Sequence, residues 1–111
     1  MRLTGFTRSP RHVVTASVAD AISALGGFVL DSKRFSNKAL TLRIEIPASG
    51  AADLASAMAD CWVTLDDASV LTLEHYGNAD SGALTEVTGT LHLRFIHEEP
   101  ELRIETPAVP G

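Results

Sequence analysis

The sequence predicts an α+β two-layer sandwich, with helices packed on one face of an antiparallel sheet. Three observations predict it. Ser9-Pro10 opens a helical stretch that stops at Gly26-Gly27, and Pro47-Ala48-Ser49-Gly50 opens a second that ends near Trp62. A pair of strand-like segments follows each. The 111 residues suit a single domain, 1–111, since domains commonly run about 100–150 residues. An apolar content of 45% is enough for a core, and with one Trp, one Tyr and four Phe that core must rest on aliphatic side chains.

Leu3–Thr7 reads as a short strand interrupted by Gly5. Ser9 is then a good N-cap residue, and Pro10 suits a first helical turn, where its missing N–H is not needed. Val14, Val18, Ala21, Ile22 and Leu25 recur at helical spacing and form one apolar stripe. Gly26 or Gly27 supplies the left-handed stop.

Phe28–Phe35 is extended and turns polar through Asp31-Ser32-Lys33-Arg34. A turn about Asn37 leads into the clearest strand of the chain. There Leu40, Leu42, Ile44 and Ile46 face one way, and Thr41, Arg43 and Glu45 the other. One buried face and one wet face are expected of a sheet covered on a single side.

The second helix puts Leu54, Met58, Cys61 and Trp62 on one face, with Trp62 read as a core anchor or, alternatively, an oligomer contact. Its alanines favour helix and permit close approach to the sheet or to the first helix. Asp66-Asp67 marks a turn. Val70–Tyr76 reads as a strand with Leu71 and Leu73 inward, although Thr64-x-x-Asp67 is also a helix-capping pattern; residues 64–74 stay open between strand and helix. Residues 76–82 are a loop by composition. Thr85–His97 is a long strand with Leu91, Leu93 and Phe95 on one side and Thr88, Thr90, His92 and Arg94 on the other. Leu102–Ile104 alternates like a further short strand, so 98–111 is an extension or a swapped tail.

Charge is unevenly spread within a net −5. Residues 1–38 carry Arg2, Arg8, Arg11, Lys33, Arg34 and Lys38 against Asp20 and Asp31, whereas three Arg face twelve acids in the remainder. An acidic chain argues against general nucleic-acid binding, which depends on phosphate neutralisation. The basic third still allows a local anion site. No stretch approaches the roughly 20 apolar residues of a membrane span. The lone Cys61 excludes an internal disulfide, and a cytoplasmic protein is the expectation.

No catalytic or metal motif emerges. Cys61, His75, His92 and His97 lack ligand spacing, and His92 and His97 face opposite sides of one strand. Adjacent carboxylates such as Asp66-Asp67 and Glu98-Glu99 diverge and form no acid–base dyad. No phosphate loop or nucleophile elbow occurs, and nothing calls for a cofactor or makes a positive case for an enzyme. A small enzyme using His92 or His97 on the open sheet face is the residual alternative.

The order β-α-β-β-α-β resembles the ferredoxin-like sandwich, with one added C-terminal strand. That resemblance implies that the loop into the first helix and the tip of the central hairpin share one end of the sheet. Arg8, Arg11 and His12 would then gather with Lys33, Arg34 and Lys38 near a helix N-terminus, which favours anions. Scattered, solvated surface charge is the alternative reading of the same residues. Leu25-Gly26-Gly27-Phe28-Val29-Leu30 and Leu40–Ile46 also resemble the ACT family of small-ligand regulatory domains, across about half of the chain. That resemblance implies a ligand-binding regulatory module. The loop Thr7-Arg8-Ser9-Pro10-Arg11 departs from the family's ligand-facing glycine and suits a phosphate or carboxylate better.

The expected site is therefore Arg8, Ser9, Arg11, Lys33 and Arg34 around a small anionic molecule, in a homo-oligomer with no nucleic-acid or membrane partner. The alternative is an interaction module that assembles through a sheet edge and complementary charge.

Overall fold

The computed structural model describes residues 1–36, 38–78 and 86–96. The order is β1 (Arg2–Thr7), α1 (Arg11–Ala24), β2 (Phe28–Ser36), β3 (Ala39–Pro47), α2 (Ala48–Asp60), β4 (Thr64–Leu65), α3 (Asp67–Asn78) and β5 (Glu86–Phe95). The expected α+β two-layer sandwich forms, its one sheet running β2-β3-β5-β1-β4. With β5 set aside, the order β4-β1-β3-β2 is that of the ferredoxin-like fold, and β5 slots between β1 and β3.

The sheet is mixed, not wholly antiparallel as expected. β5 runs parallel to β1, with Leu3 opposite Leu91 and Thr7 opposite Phe95. It runs antiparallel to β3, with Leu42 also opposite Leu91. Alternation then sends Leu3, Leu42, Ile44, Leu91, Leu93 and Phe95 to one face, where Val14, Val18 and Ile22 of α1, Leu54 and Met58 of α2, and Leu73 of α3 meet them. Thr41, Arg43, His92 and Arg94 line the opposite face.

Of the two readings open for residues 64–74, the helix holds from Asp67 onward: Val70–Tyr76 lies in α3 and is not a strand. Its N-cap is Asp66, whose Oδ1 accepts the Ser69 N–H at 2.8 Å. Ser69 and Leu73 are buried and Val70 and Tyr76 half-buried, at helical spacing. Leu71, expected inward, is 65% exposed. One alanine of α2 meets this helix closely: a Cβ on Gly77 would lie 2.7 Å from the Ala52 Cβ. The two helices therefore cross with almost no space between backbones.

A second correction concerns the start of α1. Pro10 is the N-cap residue and Ser9 makes no cap; the Ser9 N–H instead donates to Thr7 Oγ1 at 3.1 Å. The far end is as expected. Gly26 is left-handed, at φ 89°. Its N–H donates to Ser23 O at 3.0 Å, and the Gly27 N–H reaches Ile22 O at 3.0 Å. These bonds satisfy helix-end carbonyls.

The expected strand at Leu102–Ile104, the carboxylates Glu98-Glu99, the tail 98–111, Asn37 and His97 lie outside the described residues.

Candidate functional site

The end of β5 ties two parts of one rim together. The Ile96 N–H donates to Thr7 O at 2.8 Å, and the Phe95 N–H donates to Lys38 O at 2.9 Å. The loop into α1 and the tip of the β2–β3 hairpin thus emerge side by side.

On the helix side of this rim, Arg11, His12, Thr15, Ala16, Ala19, Arg34 and Leu40 line a groove of about 520 Å³. Three elements build it. Arg11, His12 and Thr15 come from the first turns of α1, where the Thr15 hydroxyl donates back to Arg11 O at 2.8 Å. Arg34 comes from β2, directly opposite Leu40 of β3. Because Leu40 points to the helix side, Arg34 does too. Small side chains, Ala16 and Ala19, keep the floor low. Arg11 is half-buried, while His12 and Arg34 are exposed.

Electrostatics favour an anion here. No acidic residue occupies the first turn of α1, and no side chain caps it. The positive end of the helix dipole therefore adds to two guanidinium groups from distant parts of the chain. Such groups repel one another unless an anion lies between them, and each can hold a phosphate or carboxylate by paired hydrogen bonds.

The other expected site residues lie elsewhere. Arg8 and Ser9 line a second groove, of about 510 Å³, with Phe6, Ala55, Ala59 and Trp62. The Arg8 guanidinium stands 6.0 Å from the Phe6 ring centroid. Lys33 sits opposite Thr41 and so on the open face of the sheet. The five residues thus divide between two grooves and a third surface, and the structure joins only Arg11 to Arg34 and Arg8 to Ser9. Alternation along β2 decides this: Lys33 and Arg34 are adjacent, so they must point apart.

Trp62 is a finding the sequence did not disclose. It is not a core anchor but is 55% exposed. It takes the left-handed conformation at the end of α2, at φ 66°. The signal was the missing glycine at that helix end, where the left-handed residue had to be something else.

The remaining candidates carry no assembled chemistry. The His92 Nδ1 lies 3.0 Å from Thr41 Oγ1 on the open face. His75 meets Tyr76 edge to face, with ring centroids 5.5 Å apart. Cys61 is buried at the end of α2, and burial, then Asp60 and Asp20, push its thiol pKa up. Among the described residues no three His, Cys, Asp or Glu side chains converge on a point suited to a metal. No helix among them is long and apolar enough to cross a membrane. No protein-family model, curated protein or solved structure matches the chain.

Proposed function

We propose that the protein is a small binding module whose groove between α1 and β2 holds a compact anion, a small molecule bearing a phosphate or carboxylate. The observation that carries this reading is the joining of Arg11 and Arg34, 23 positions apart in the sequence, in one groove at an uncapped helix N-terminus. The groove has room for a small metabolite, since ligand pockets commonly span about 300–1,000 Å³. Leu40 and the alanines offer an apolar floor to the rest of the ligand, and the two guanidinium groups bind its charged end. His12 adds a donor at the mouth.

The test is thermal unfolding with phosphate, nucleotides and small carboxylates. At least one class raises the melting temperature of the wild type, and the Arg11→Ala, Arg34→Ala double variant loses the rise while remaining folded. Arg8→Ala retains it, because Arg8 lines the other groove. If no anion shifts the wild type, the reading fails.

A further inference from the structure

We propose that β2 is a self-complementary edge through which a second copy of this chain extends the sheet. β2 is the outermost strand, bonded to β3 alone among the described residues. It is nine residues long, and all of them except Val29 are exposed. Phe28, Leu30 and Phe35 stand open to 57%, 44% and 65%. Proteins that remain monomeric shorten such an edge, interrupt it with proline or cover it. β2 contains no proline, and its irregularities fall near its ends, between Val29 and Asp31 and between Arg34 and Ser36. Asp31–Arg34 in the middle is left as regular strand.

Lys33 on such an edge would by itself discourage pairing. Asp31, two residues away, reverses that. Asp31 and Lys33 sit opposite Arg43 and Thr41 of β3, on either side of the Ser32–Leu42 pair, so both side chains point to the open face. Antiparallel pairing of two copies must match residues on the same face, so the two-fold axis passes through a residue and not between two. An axis through Ser32 sets each Asp31 against Lys33 of the second copy, twice over. An axis through Asp31 or Lys33 would set like charges against each other. Only the Ser32 register pairs these charges with their opposites. The Arg43 guanidinium, 3.8 Å from the Asp31 carboxylate, approaches from the β3 side and leaves the outer side to the incoming strand.

This inference is independent of the anion groove, and its test reads oligomeric state. Sedimentation velocity is run on the full chain over a range of concentrations, with wild type, Asp31→Lys, Lys33→Asp and an equimolar mixture of the two variants. The wild type is a dimer. Each single variant sets two like pairs across the axis and raises the dimer dissociation constant about tenfold or more. The mixture restores the wild-type constant, because Lys at 31 of one copy then meets Asp at 33 of the other. Recovery on mixing separates lost pairing from lost folding. A monomeric wild type, whatever covers β2, overturns the proposal. So do single variants that dimerise as tightly as the wild type, or a mixture that stays monomeric.

Discussion

Gly26 and Trp62 hold the same position in two copies of one helix-ending arrangement. Each is left-handed, at φ 89° and 66°. The Trp62 N–H donates to Ala59 O at 3.1 Å and the Val63 N–H to Met58 O at 2.9 Å, repeating the bonds at Gly26 and Gly27. A left-handed conformation costs a residue with a side chain about 1–2 kcal/mol, and glycine escapes it. Trp62→Gly therefore changes stability in urea by less than about 1 kcal/mol, the lost indole contacts being offset by relief of the backbone. A buried Trp would instead lose about 3–5 kcal/mol on truncation. Gly26→Ala loses about 1–2 kcal/mol for the opposite reason.

Ile22 and Leu42 are buried to 0% and 2% exposure, one on the inner face of α1 and one on β3. Truncation of either to Ala costs about 2–5 kcal/mol, measured from the urea midpoint at unchanged slope. A loss below about 0.5 kcal/mol, the level of ordinary surface changes, would contradict the assignment of these faces to one core.

Asp66 links α3 to the sheet and makes that link sensitive to pH. The hydroxyl and then the amide of Ser69 hydrogen-bond its carboxylate and hold its pKa below the ordinary value. The same Ser69 hydroxyl accepts the Thr4 N–H of β1 at 2.8 Å. A carboxyl lowered on folding contributes stability above its unfolded pKa, and that contribution is lost as pH falls through the folded pKa. Asp66→Asn thus lowers the melting temperature at neutral pH, and the gap from wild type closes as the solution is acidified through the carboxylate range. A gap that persists unchanged at low pH would contradict the role.

Cys61 offers a chemical check on the core. Its thiol is buried and its pKa raised, first by desolvation and then by Asp60 and Asp20. The reactive thiolate is therefore scarce at neutral pH. A chromogenic disulfide reagent reacts slowly with the native protein and rapidly once urea unfolds it; equal rates would place the thiol at the surface.

The fold was legible where periodicity was long. Leu40–Ile46 and Val87–Phe95 alternate for many residues, and Val14, Val18 and Ile22 repeat at one helical spacing, so these elements emerge where the sequence puts them. Residues 70–76 misled because Leu71 and Leu73 mimic a two-residue period. The helical stripe Ser69, Leu73 and Tyr76 begins on a serine that hydrophobicity does not count. The insertion of β5 beside β1 is a long-range pairing that no local pattern encodes. For the site, the shared rim followed from topology. Its division did not, because it depends on the face that each residue of β2 takes, and β2 itself contains two irregularities.

Arg11 and Arg34 are proposed to act together on one anion. The most direct measurement is a titration of inorganic phosphate into isotope-labelled protein, followed by the backbone amide resonances. Saturable shifts are expected, concentrated at Arg11, His12, Thr15 and Arg34, and they disappear in the Arg11→Ala, Arg34→Ala variant. Shifts that fail to saturate, or that survive in that variant, would contradict it.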